Sequence, residues 1–275
     1  MSPRRLVQPG LALAPRTELV SGHALPLALT LAPGLSLLDA VTCAVHAAGF
    51  DSATLELEGG DFAPFSYVLP APAPDDTHAA YYSATHTPPA GARLERGCIT
   101  FGRRAGQPWL HCHAVWQEPA GRRGGHVLPE ETVLATAIPA RAWGLTGIAL
   151  VSEPDPETNF TIFRPVPAAG SPLPGARPAL ALRIRPNEDA ASALAAAIGR
   201  HGFRRPALRG SLGSLIGARF EGGGAVEDHA TEMFFTGNGL GVALADMQGR
   251  VHEGMLQSGE NPVCITIEAL LVDEA

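Results

Sequence analysis

The chain has 275 residues, 45% of them apolar and 17% charged, which excludes a disordered polymer and leaves length for two domains with real cores. Its formal net charge of −7 lacks the basic surplus of a nucleic-acid binder, whose affinity rests on neutralising phosphates. No apolar run reaches the roughly 20 residues of a membrane span, and Cys43, Cys98, Cys112 and Cys264 form no close pair, so a soluble, cytoplasmic protein with reduced and mostly buried thiols is expected.

In chain order, the N-terminal MSPRRLVQPGLALAP is broken by Pro9 and Gly10 and does not read as a signal peptide. Leu27 to Phe50 (LALTLAPGLSLLDAVTCAVHAAGF) predicts a strand, a proline turn, and a helix over 36–48 capped by Ser36 and ended by Gly49. A short alternating segment with Leu55 and Leu57 then closes on Glu58-Gly59-Gly60. The proline-rich stretch within Asp61 to Gly106 follows. It holds all three tyrosines (Tyr67, Tyr81, Tyr82) with His78 and His86. Its prolines predict an extended excursion, either a flap over a site or an arm clasping a neighbouring domain or subunit.

The chemistry concentrates in Leu110–Leu128, LHCHAVWQEPAGRRGGHVL. On a strand, residues i and i+2 share a face, so His111 and His113 project together while Cys112 turns to the packing layer. EPAGRRGG reads as a hairpin connection, and it returns His126 beside them, after two glycines that permit close backbone approach. Three imidazoles from two adjacent strands form a candidate metal site with His111, His113 and His126 as ligands. Neutral imidazoles favour zinc, with iron, nickel and manganese open. Arg122 and Arg123, folded over the site, would hold a carboxylate. Glu118, Glu130 and Glu131 are the nearby carboxylates, none marked as the acid or base.

This stretch, HCHAVW followed by GGHVLPEETVLATA, resembles the signature of the plant- and prokaryote-conserved (PPC) domain, His-x-His, a turn, then Gly-Gly-His. The same pattern is similar to the zinc-binding strands of acetolactate decarboxylase. The resemblance implies the three histidine ligands, a PPC-like sheet order, trimer-like association, and lyase chemistry on a small oxo or hydroxy acid. Metal-assisted hydrolysis is equally open. Plant PPC proteins also carry AT-hooks of core Arg-Gly-Arg-Pro, implying a DNA-associated role; Ser2-Pro3-Arg4-Arg5 lacks that core.

Further on, Ser152 to Pro178 holds seven prolines around the strand-like Asn159–Phe163, and Pro165 to Pro178 reads as a semi-rigid connector. Leu180 to Phe203 (LALRIRPNEDAASALAAAIGRHGF) then aligns without a gap on Leu27 to Phe50, predicting a second helix over 189–200 capped by Asp189. Glu221-Gly222-Gly223 matches Glu58-Gly59-Gly60, Gly254-Met255-Leu256 falls opposite Gly125-His126-Val127, and Val263 to Val272 is a closing strand after a turn at Asp246–Gly249. Gly237-Asn238-Gly239 reads as a turn, not a phosphate cradle.

The expectation is an α/β chain of the α+β type. It comprises two tandem PPC-like domains, 16–165 and 179–275, each a mostly antiparallel sheet with one packed helix. Leu240, Val242 and Met255 replace the ligands in the second copy, leaving His252 alone there, so that copy is expected to serve packing and association. The partners expected are a small-molecule ligand and further copies of the chain, as a trimer-like or pseudo-symmetric assembly. The alternative is a DNA-associated regulatory or oligomerisation module without catalysis.

Overall fold

In the first half, the strand order follows the pattern of apolar residues and turns. Thr17–Leu31 pairs with Ile138–Thr146, which pairs with Ala53–Glu58, then Ala92–Arg104, Gln107–Glu118 and Gly121–Val127, every pairing antiparallel. The second half repeats this order. Arg177–Ile184 is followed by Val263–Asp273, Leu212–Leu215, Thr231–Phe235, Gly241–Ala245 and Val251–Met255. This computed structural model describes residues 4–237 and 239–275, so Met1, Ser2, Pro3 and Asn238 of the segments discussed above lie outside the described residues.

The helices form where their caps require. Leu37–Ala47 starts at Ser36, whose hydroxyl accepts from the Asp39 amide; Ala190–His201 starts at Asp189, which accepts from the Ser192 amide, and ends on Gly202 at φ 66°. Each helix packs on one face of its sheet. Val41 and Val45 meet Leu55, Ile99 and Cys112 in one core, while Leu194 and Ala197 meet Leu182, Met233 and Ile267 in the other. Strand alternation turns the remaining side chains inward, where Cys98 and Val115 of the first sheet pack against Leu212, Phe234 and Ala243 of the second. The two sheets therefore meet face to face, with a helix outside each.

They are also joined at their edges. Thr17–Ala24 pairs with Arg177–Ile184, while His23–Leu31 pairs with Ile138–Thr146, so one strand serves both sheets. A further buried junction lies beside it, where Arg183 and Arg185 meet Glu18 and Asp155. Among the described residues no helix is long and apolar enough to cross a membrane.

Three expectations are corrected. Glu221–Gly223 is not the counterpart of Glu58–Gly60: it lies in the turn of a small hairpin, Ala218–Arg219 with Ala225–Val226. The place of Ala53–Glu58 is taken by Pro206–Leu208 and Leu212–Leu215, split by Arg209–Ser211 and bulged between Gly213 and Leu215, which hides the match. The proline-rich excursion ends at Gly91, because Ala92–Arg104 is a central strand bonded on both sides. The connector is shorter than Pro165–Pro178, since Thr161–Pro167 pairs with Ile148–Pro154 and Arg177 begins the next strand.

Candidate metal centre between the two sheets

The hairpin of Gln107–Glu118 and Gly121–Val127 sets His113 directly opposite His126. Its turn is tighter than the sequence suggests, with Arg122–Gly125 already in the returning strand. Leu110, Cys112 and Ala114 face the helix-side core, so His111 and His113 project from the inner face towards the second half. The glycines before His126 are needed for close packing, because a Cβ at Gly125 would stand 2.9 Å from the Val68 carbonyl oxygen of the covering segment.

All three predicted ligands come together. His111 Nε2 lies 2.9 Å from His113 Nε2, the His126 ring centroid is 4.9 Å and 5.3 Å from the other two, and one nitrogen of each falls within 4.8 Å of the rest.

The second sheet, expected to be chemically silent, completes the cluster. Glu232 Oε2 is 2.6 Å from His113 Nε2, and Glu268 Oε1 is 3.1 Å from His111 Nδ1. His113 Nδ1 donates to the Met233 carbonyl at 3.0 Å. With acceptors at both Nδ1 atoms, the Nε2 atoms of His111 and His113 face each other, and a cation bound there would take over the Glu232 contact that His113 Nε2 now makes. His126 Nδ1 is buried and has no hydrogen-bond partner among the described residues. This orphaned nitrogen, two converging Nε2 atoms and an adjacent carboxylate oxygen fit a divalent cation, and the histidine-rich donor set fits zinc.

The two rings titrate in opposite directions. Burial would lower His113, but the charge and hydrogen bond of Glu232, with the Met233 carbonyl, outweigh it and raise it above the ordinary histidine value. Burial, helped by the charges of His111, His113 and Arg104, holds His126 well below that value, so its ring is neutral and available as a ligand.

A cavity of about 330 Å³ opens beside the histidines, with His111, His126, Glu232 and Glu268 in its wall. Tyr81 and Tyr82 from the proline-rich excursion line it, and Tyr82 sits 5.0 Å from the His126 ring. Burial first, then Glu232 and Glu268, keep the Tyr82 hydroxyl well above its usual range, so it remains a neutral donor.

The other candidates fall elsewhere. Arg122 is bound to Glu95 and Glu253, and Arg123 to Glu118 and the Gln248 carbonyl, so neither closes over the cavity. Glu118 is buried against Tyr67 and Trp116, whereas Glu130 and Glu131 are exposed at the cavity rim. His86 stacks on Tyr67, and His78 meets Phe160 edge-on; His252 pairs with Asp246. Glu232 and Glu268 were missed, although each is a lone acid inside a strongly apolar strand (TEMFF and ITIEALL), a placement that demands a buried partner.

No protein-family model matches the chain, and no curated protein matches it. Solved structures do. The chain is similar to a PPC protein from Pyrococcus horikoshii, with 12% identity over 57% of this chain and 100% of that one and a TM-score of 0.42. It is also similar to a metal-containing protein from Archaeoglobus fulgidus (16% identity, 50% and 92% covered, TM-score 0.40). A candidate DNA-binding protein from Ralstonia eutropha aligns at 15% identity over 50% and 89%, with a TM-score of 0.35.

Proposed function

We propose that this chain is a metal-binding protein of two PPC-like units in tandem, 16–165 and 179–275. In this reading it holds zinc at His111, His113 and His126 and takes a small carboxylate or carbonyl compound in the adjoining cavity. The observation that carries the metal reading is the buried, partnerless Nδ1 of His126 beside two converging Nε2 atoms. The tandem reading is supported by the repeated strand order, and by a division of labour in which the first unit gives the imidazoles and the second gives Glu232 and Glu268. Bound there, zinc would polarise a ligand oxygen or activate water, so lyase and hydrolase reactions are the ones to test. The chain's own groups have evident parts: Glu268 orients His111, Glu232 neutralises charge at His113, and Tyr82 offers a neutral hydroxyl beside His126.

The test is metal analysis of the purified chain against His111→Ala and His126→Ala. The expected result is near one zinc per chain in the parent and strong loss in both variants. Equal metal in all three refutes the reading. A gel shift at physiological salt separates the alternative, a DNA-associated module, which the net charge of −7 disfavours. A cytoplasmic location and self-association complete the proposal; size measured in solution tests the latter.

A further inference from the structure

Of the neighbouring Arg103 and Arg104, only Arg103 is exposed. Arg104 lines the cavity wall, with its guanidinium carbon 4.0 Å from the Trp109 ring centroid and its Nε donating to Ser152 Oγ at 3.2 Å. That placement follows from the parallel junction of Ala92–Arg104 with Ile148–Pro154, which sets Arg104 beside Ser152. The stack and the Nε bond fix the plane of the fork. Both terminal nitrogens are left without a hydrogen-bonding or ion-pairing partner among the described residues, whereas Arg96, Arg122, Arg123, Arg164 and Arg209 each hold a carboxylate. Burial lowers Arg104 from its usual value, with Glu130 acting on it only through charge.

A cation fixed in a cavity wall with two unused donor nitrogens is a receptor for a carboxylate, which the planar fork binds with two parallel hydrogen bonds. Beside the histidines the wall carries Glu232 and Glu268, and the Oε2 of Glu268 is buried without a partner among the described residues. With a divalent cation bound, those two acids offset its charge, so this end offers no net positive charge to hold a second carboxylate. The wall also carries the apolar side chains of Phe160, Ile162 and Ile265. We propose that Arg104 is the carboxylate-binding residue of this cavity, and that its ligands are small monocarboxylates with an apolar body. This assignment rests on the cavity being the ligand site of the function proposed above.

The experiment measures binding calorimetrically on the zinc-loaded chain with 4-methylpentanoate, 4-methylpentanamide and glutarate, together with the metal content of each variant. The acid is expected to bind at least tenfold tighter than the amide and tighter than glutarate. Arg104→Met, which keeps the stack on Trp109, should weaken the acid about 10- to 100-fold. It should leave the amide and the zinc content unchanged. Arg104→Lys should recover only part of the loss, because the fork is gone. Acid and amide binding alike, glutarate binding as tightly, no binding by any probe, or an acid preference that survives Arg104→Met would each overturn the assignment. A parent that retains no zinc but keeps an Arg104-dependent preference would sink the metal reading and leave this one standing.

Discussion

Replacing Glu232 by glutamine tests whether the second sheet belongs to the metal site. The substitution keeps the size of the side chain and removes its charge 2.6 Å from His113 Nε2, at a position 9% exposed, where water screens little. Groups that brace or neutralise a metal-binding histidine are worth about 10- to 100-fold in affinity. On that scale Glu232→Gln should cost about 1.4–2.8 kcal/mol of zinc binding. Glu268 is 3.1 Å from the far nitrogen of His111, so it acts through ring orientation alone, and Glu268→Gln should fall at the lower end. The two losses should add incompletely, because both acids support the same His111–His113 pair. The assay is competition for zinc against a chromogenic chelator, with thermal unfolding of the metal-free chains to confirm that each variant folds. An affinity within twofold of the parent, or a larger loss in Glu268→Gln than in Glu232→Gln, would refute the reasoning.

Two further outcomes follow from buried contacts away from the histidines. Burial alone would raise the Asp155 carboxyl, but Arg183, Thr158 and Arg185 outweigh it and hold it below the ordinary value. Its stabilisation is therefore present above the unfolded value near pH 4 and drains away as pH falls through the lower folded value; acid denaturation of Asp155→Asn should start from lower stability and show a shallower acid limb, and identical limbs would remove Asp155 from the account. At Gly102 a Cβ would stand 2.0 Å from the Leu150 carbonyl oxygen, a backbone atom that cannot swing aside. Gly102→Ala should therefore cost about 1–3 kcal/mol and lower Tm by roughly 2–12 °C, and an unchanged melting curve would show that the junction yields freely.

Much of this was legible because strand periodicity is strict. The two-residue spacing of His111 and His113 fixed their common face, and the return to His126 fixed the third ligand; Ser36, Asp189 and Gly202 marked the helix ends by cap chemistry alone. What escaped the sequence was long-range. Glu232 and Glu268 reach the histidines only because two sheets pack face to face, a relation that no local pattern encodes. Arg122 and Arg123 looked closer to the site than Arg104 because nearness along the chain stood in for nearness in space; Gly102–Arg104 is brought there by a parallel junction with residues 150–152. The excursion was recognised by its prolines, but its end was misplaced, since Ala92–Arg104 has a mixed pattern that suits a strand buried on both faces.

The strand Thr17–Leu31 leaves a topological signature of its own. Had each unit been a separate chain, the flank at Thr17–Ala24 would present bare amides and carbonyls, an invitation to ribbon growth from molecule to molecule. Here that flank is spent on Arg177–Ile184 of the same polypeptide. The seam is thus closed within one polypeptide, and the two sheets that share it carry different chemistry, imidazoles on one and carboxylates on the other.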